Sequence, residues 1–173
     1  MKKLFLVAFV AITAFVGNAQ VWMGGSLGLG FSKPEGGETT TTFTIAPEIG
    51  YTLNEKWDIA IGIRESLESC DGNTANQFSV NPYARYTFAK AGIASFFVDG
   101  GFSVGCYDAG KGYDATIAWN IGLRPGVKLA VSEKICFVST IGFLGFEQVV
   151  DQYSDFGFNF DNNALSFGMY WSF

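Results

Sequence analysis

The segment ALSFGMYWSF, residues 164–173, alternates bulky apolar side chains with small or polar ones. The apolar positions are Leu165, Phe167, Met169, Trp171 and Phe173. Because successive side chains of a strand point to opposite faces, this pattern predicts a strand with one fully apolar face. That face needs an apolar cover.

Composition limits the class of protein. The 173 residues are 49% hydrophobic and 17% aromatic, which is too apolar for a disordered chain. The length predicts a single domain. The formal net charge of -5 argues against nucleic acid as a partner, because phosphate binding needs a basic face.

The first segment has the three parts of a secretory signal peptide. Residues 2–3 are lysines, residues 4–16 are apolar, and residues 17–19 form a small-residue cleavage site. The apolar run is shorter than the roughly 20 residues that a membrane-spanning helix needs. We therefore predict that residues 1–19 are cleaved and that residues 20–173 form the mature barrel domain, outside the inner membrane.

The period-two alternation recurs along the mature chain, whereas helix-period stripes and long apolar stretches are missing. In most runs one face is apolar and the other is rich in glycine and serine. The facing of the seventh run is ambiguous. The eight runs cover residues 21–32, 42–53, 57–67, 78–88, 96–105, 116–131, 135–146 and 164–173.

The links between these runs alternate in length. Long polar links follow the first, third, fifth and seventh runs, and short links such as NEK (54–56) and SEK (132–134) follow the others. The alternation predicts an all-β fold, an eight-stranded antiparallel up-and-down barrel with its long loops at one end.

The orientation of the two faces separates a membrane barrel from a soluble one. In a soluble, lipocalin-like barrel the apolar face points inward. The other face of this chain carries few charges and many glycines, which suits the filling of a narrow barrel better than a wet surface. We therefore predict a transmembrane barrel with an interior ion network. The network residues are Glu48, Asp58, Arg64, Arg85, Asp99, Arg124 and Lys128.

Aromatic residues near the short links favour the membrane orientation. A soluble core accommodates such residues equally well, but their clustering at strand ends is typical of the girdle at a membrane interface. A sheet in lipid cannot leave free edges, so the first and eighth strands are expected to pair. The girdle residues are Tyr51, Trp57, Phe88 and Phe96, with Trp171 and Phe173 on the last strand.

Several segments resemble the small outer-membrane β-barrels of the OmpA/OmpX-like superfamily, and the resemblance covers nearly the whole mature chain. It implies an outer membrane of a Gram-negative-type envelope as the location, with membrane lipid around the barrel. It also implies that Trp171 and Phe173 belong to the signal that the barrel-assembly machinery reads. The segments are IAPEIGY (45–51), NPYARYTF (81–88), FFVDGGFSVG (96–105), LRPGVKLAV (123–131) and LSFGMYWSF (165–173).

The composition argues against an enzyme. Enzymatic barrels of this kind generally use a histidine as a base, and the chain contains no histidine. Glu48 and Asp99 remain as candidates for carboxylate chemistry, but interior ion pairs explain them better. We predict no catalytic residue, no cofactor and no metal site.

The three cysteines do not form a metal motif. If a disulfide forms, we expect it between Cys70 and Cys106, because the hairpin of the third strand neighbours the fifth strand. The alternative is unpaired thiols in an anoxic or lipid-shielded setting.

Three functions remain open. The leading one is a non-enzymatic barrel that contributes to envelope integrity and presents acidic loops to an unidentified partner or surface. The alternatives are a narrow channel for ions or small solutes and a secreted, soluble lipocalin-like binding barrel. Aromatic residues of the last link either contact a partner or extend the strands. The acidic link residues are Glu35, Glu38, Asp71, Asp108, Asp114, Asp151, Asp155 and Asp161, against Lys33 and Lys111; the aromatic ones are Tyr153, Phe156, Phe158 and Phe160.

Overall fold

A computed structural model describes residues 20–32, 39–70, 73–108, 115–150, 153–159 and 166–173. The predicted signal peptide lies outside this part of the chain. The described residues form antiparallel strands joined by turns, and no helix among them has the length and apolarity of a membrane span. The all-β prediction is confirmed.

Six strands of the described residues are long and four are short. β1 to β6 have 12 to 19 residues, whereas β7 to β10 have 6 or 7. The strands are β1 (Val21–Ser32), β2 (Thr40–Thr52), β3 (Trp57–Cys70), β4 (Asn73–Ala91), β5 (Ala94–Asp108), β6 (Thr116–Ala130), β7 (Ile135–Thr140), β8 (Phe143–Val149), β9 (Tyr153–Asn159) and β10 (Ser166–Ser172).

The strands form one closed antiparallel ring. Each of β1 to β5 pairs with the next strand, β6 pairs with both β7 and β8, β7 pairs with β10, and β10 returns to β1. β7 and β8 are thus two halves of a seventh barrel strand, and β9 and β10 are two halves of the eighth. The predicted eight-stranded barrel, closed by its first and last strands, is confirmed.

The ring closes with a stagger. Following the register from Gly24 across β2, β3, β4 and β5 leads to Asn120 on β6. Following it in the other direction, across β10 and β7, leads to Ala130, ten residues further along β6. Such a stagger tilts the strands. With eight strands it leaves an interior just wide enough for side chains to fill.

A bulge interrupts the seventh barrel strand. Leu123 on β6 pairs with Leu144 and Gly126 pairs with Thr140, so two residues of β6 face the three residues 141–143. Gly142 has a φ of 76°, a conformation that side chains disfavour. The extra residue moves the outward positions from odd numbers in β7 to even numbers in β8. Because of this shift, simple alternation does not predict which side chains of the seventh run face inward.

The two faces of the barrel have opposite character. Outward side chains are apolar and exposed, as at Ile61 (46%), Phe102 (51%) and Phe137 (50%). Inward side chains are mostly small, polar or charged, and Asp58 and Asp99 are buried. This is the orientation expected of a membrane barrel and the reverse of a lipocalin-like cup.

Short turns join the strands at one end of the barrel. Gly92 turns β4 into β5 with a φ of 60°. Before β3, Asn54 Oδ1 accepts hydrogen bonds from the backbone N–H groups of Lys56 and Trp57 at 2.9 and 3.1 Å. Before β7, Ser132 Oγ accepts two similar bonds. These side-chain acceptors stabilise the turns.

Part of the last link extends the strands, which is one of the two alternatives left open for its aromatic residues. The sequence suggested a loop from Glu147 to Asn162, but β8 continues to Val149 and β9 pairs with it. Phe156 and Phe158 on β9 face outward and are 73% and 59% exposed. These aromatic residues therefore extend a strand.

Most of the acidic link residues lie outside the described part of the chain. Asp108 and Asp155 lie inside it and are exposed. The link residues outside it are Lys33, Glu35, Glu38, Asp71, Lys111, Asp114, Asp151, Phe160 and Asp161.

Candidate functional site

Aromatic side chains fill the interior near the short turns. The Trp22 and Tyr170 rings, from β1 and β10, stack with their centroids 4.3 Å apart. A Cβ atom at Gly50 would overlap the Trp22 ring, so glycine at this inward position makes room for the indole. The buried cluster comprises Trp22, Tyr83, Phe97, Val138 and Tyr170.

Arg85 and Asp99 form a buried, bidentate ion pair beside this cluster. They are register partners on β4 and β5. Arg85 Nε donates to Asp99 Oδ1 at 2.7 Å, and Arg85 Nη2 donates to Asp99 Oδ2 at 2.8 Å. The guanidinium also lies over the Phe97 ring, 3.8 Å from its centroid. The two hydrogen bonds and the ring contact hold a charge that is almost inaccessible to solvent.

Glu48 accepts its hydrogen bonds from tyrosines. Its Oε2 accepts from Tyr83 Oη at 2.5 Å and from Tyr170 Oη at 3.0 Å. An interior ion network predicts charged partners for Glu48 instead. Alternation along β4 and β10 places Tyr83 and Tyr170 on the inner face. Alternation alone does not show which of the inner side chains contact one another.

The remaining network residues are more loosely arranged. Lys128 Nζ lies 3.8 Å from Asp58 Oδ2. Arg124 Nη2 donates to Asn120 Oδ1 at 3.2 Å, and its guanidinium lies 4.8 Å from the centroid of the Phe143 ring. The sequence did not predict that Phe143 points inward, because the bulge at residues 141–143 reverses which positions of β8 face the lumen.

Arg64 has no carboxylate within ion-pairing distance among the described residues. Its side chain reaches the same interior cavity as Glu48, Arg85 and Arg124. The cavity has a volume of about 40 Å³. This volume admits a few water molecules at most. The interior is therefore largely filled.

Two buried polar atoms beside the cavity have no partner in the described part of the chain. They are Arg85 Nη1 and Asn81 Oδ1, one donor and one acceptor. Buried polar atoms are normally hydrogen-bonded, so these two atoms are available to bind a small polar species.

The predicted girdle residues lie on the outer face next to the short turns. Trp57 begins β3, and its ring lies 4.8 Å from that of Tyr86. Phe88 sits at a register shift between β4 and β5, and it is exposed, as are Phe96, Trp171 and Phe173. Tyr51 is half-buried.

The structure contains no disulfide between Cys70 and Cys106. Cys70, Cys106 and Cys136 are all free thiols. Cys70 on β3 and Cys106 on β5 are separated by β4, which pairs with both strands. Neighbouring strands lie about 4.8 Å apart, so strands on either side of β4 exceed the roughly 7 Å that a disulfide spans between Cα atoms.

The described residues contain no group of three or more side chains suited to a metal ion. No family model matches the chain, and no curated protein is significantly similar to it in sequence.

Solved structures match the chain over most of its length. Neisserial surface protein A shares 14% identity with a TM-score of 0.52, and the match covers 90% of this chain and 96% of that one. The N-terminal β-barrel domain of OprF from Pseudomonas aeruginosa shares 13% identity with a TM-score of 0.55, over 90% of this chain and 96% of that domain. This chain has the fold of the small eight-stranded outer-membrane barrels. In a barrel of eight strands, the filled interior bears on whether solutes can pass, and the apolar exterior bears on whether lipid surrounds the protein.

Proposed function

We propose that this chain is an integral outer-membrane protein with a non-enzymatic, structural role in the envelope. The observation that carries the proposal is the exposed apolar face, which surrounds a ring closed between β1 and β10. Such a surface is stable in hydrocarbon and poorly stable in water. Membrane lipid is then the principal partner, and the barrel-assembly machinery the partner during biogenesis.

The filled interior supports a structural role over a channel. Trp22, Tyr83, Phe97 and Tyr170 occupy the lumen near the short turns, and the Arg85–Asp99 pair lies among them. Eight strands leave no continuous aqueous path past such side chains. Single-channel recordings in planar bilayers are expected to show no stable conductance steps.

Two observations support a non-enzymatic protein. The chain contains no histidine to act as a general base. The interior carboxylates Glu48 and Asp99 already accept hydrogen bonds from Tyr83, Tyr170 and Arg85. The acidic residues of the long links are then the charged groups available for contact with a partner or surface.

Electrophoretic mobility tests the proposal. The mature chain, residues 20–173, is folded into detergent micelles and run in dodecyl sulfate with and without boiling. A closed barrel is expected to resist the unboiled detergent and to migrate differently after heating, because the pairing of β1 with β10 removes the free edges at which an open sheet unravels. The same sample is expected to float with lipid vesicles in a density gradient. An unshifted band from a protein soluble in plain buffer would contradict the proposal.

A further inference from the structure

The interior cavity has more positive than negative charge on its walls. Its lining includes the guanidinium groups of Arg64, Arg85 and Arg124 and the carboxylates of Glu48 and Asp99. Guanidinium groups stay protonated in proteins, so the excess is one positive charge. Arg85 and Asp99 are buried and Arg64 and Arg124 are half-buried, and a charge in such a site is unfavourable without a counter-charge.

Both carboxylates already have partners. The two oxygens of Asp99 accept from Arg85, and Glu48 accepts from two tyrosines. No ion pair within 4.0 Å joins either carboxylate to Arg64 or Arg124 among the described residues, although Glu48 acts on both arginines at longer range. The like charges of Arg64 and Arg124 also act on each other across the cavity.

One donor is buried and unused. Arg85 Nη1 has no partner among the described residues, although Arg85 is 1% exposed. A water molecule would satisfy this donor. It leaves the excess charge of the walls uncompensated, so a second species is needed.

We propose that the cavity binds one small monovalent anion such as chloride, held by the N–H groups of Arg64, Arg85 and Arg124. One negative charge brings the walls to neutrality. A volume of about 40 Å³ admits a monatomic anion with a water molecule. Organic anions of the size of gluconate do not fit.

Thermal unfolding of the folded mature chain in non-ionic detergent tests the site. Sodium gluconate is replaced stepwise by sodium chloride or bromide at constant ionic strength. Because a ligand of the folded state raises the unfolding midpoint by mass action, the midpoint is expected to rise by a few degrees along a saturating curve.

Substitutions assign the effect to the cavity. Arg64→Gln leaves two cations and two anions on the walls, so the saturating rise is expected to disappear while the midpoint in gluconate stays at least as high as in the wild type. Arg64→Lys keeps the charge and is expected to retain the rise at higher halide concentration. Lys90→Gln removes an exposed cation that lies 4.0 Å from Glu55, and is expected to behave as the wild type.

Two results would overturn the proposal: a wild-type midpoint that does not respond to halide, or the same saturating response in Arg64→Gln. If Arg64→Gln does not fold, Arg124→Gln replaces it with the same expectation. Heat-dependent mobility reports separately whether each sample contains a closed barrel, so loss of the barrel and loss of the anion site give different results.

Discussion

At the scale of single residues, the Arg85–Asp99 pair dominates the interior because both side chains are buried and bound at two points. Asp99→Asn leaves the Arg85 charge without a carboxylate. We expect a loss of about 3–5 kcal/mol of unfolding free energy, since breaking one side of a buried pair strands the other charge. Urea unfolding of the micelle-folded protein measures it.

Two further variants serve as controls for this prediction. Glu55→Gln removes the carboxylate of an exposed pair with Lys90, 4.0 Å long, and is expected to change the stability imperceptibly. The double variant Arg85→Met with Asp99→Leu removes both charges and is expected to recover much of the loss. If Asp99→Asn matched Glu55→Gln, the buried pair would not have the role assigned to it.

Gly50 is the second residue-scale test. A Cβ atom at this position would overlap the Trp22 ring and displace it from its stack on Tyr170. Gly50→Ala is expected to destabilise the protein by about 1–3 kcal/mol, the usual cost of overpacking. Gly157→Ala is the matched control, because nothing lies within 4 Å of its added Cβ. Equal unfolding midpoints for the two variants would contradict the prediction.

Residue parity predicts on which face the interior charges lie, but it does not identify their partners. Glu48 on β2 contacts Tyr83 on β4 and Tyr170 on β10, strands that are each one strand removed from β2 in the ring. The Cys70–Cys106 pairing failed for a related reason. Hairpin order suggests proximity, whereas the spacing of paired strands decides whether two side chains can touch.

At the scale of elements, the bulge at residues 141–143 controls which side chains of β8 enter the barrel. Gly142 has a φ of 76°, where a Cβ atom costs roughly 1–2 kcal/mol. Gly142→Ala is expected to lose about that much unfolding free energy, whereas Gly157→Ala is expected to lose less. Urea unfolding under identical conditions compares the two, and equal losses would show that the bulge is not strained.

The strands β1 to β6 were predictable because each keeps one phase of alternation over most of its length, the exception being the register shift at Phe88 in β4. The seventh was not, because one additional residue reverses the phase between Thr140 and Leu144. The sequence leaves the hairpin of β8 and β9 open as one of two alternatives, since polar residues such as Gln148 and Ser154 interrupt its alternation. Sequence periodicity thus predicts regular strands, but it does not predict strands that a bulge or polar residues interrupt.

At the scale of the whole molecule, the apolar outer face has to match the thickness of a membrane. Ile61 lies four residues along β3 from Trp57. At about 3.3 Å per residue on a tilted strand, this places Ile61 near the middle of an apolar band about 25 Å tall. Ile61→Lys is expected to cost about 2–4 kcal/mol of folding free energy in lipid vesicles.

Leu53→Lys introduces the same charge at an exposed position in a short turn, outside the band. Its expected cost is about 0–1 kcal/mol. The fraction of each variant that acquires heat-dependent mobility in vesicles is the readout. A barrel that tolerated Ile61→Lys as well as Leu53→Lys would not have hydrocarbon around its middle.

The seam between β1 and β10 also determines when the barrel can be completed. It joins Trp22 to Ser172, residues 150 positions apart in the chain. A contact of such high sequence separation forms late and slowly, because the entropy of closing the long intervening chain opposes it. Until then the curved sheet has two open edges beside an apolar outer surface, the combination that promotes association with other chains. The rate of folding is therefore set by how soon the two ends of the polypeptide meet, and protection from aggregation is needed for that entire interval.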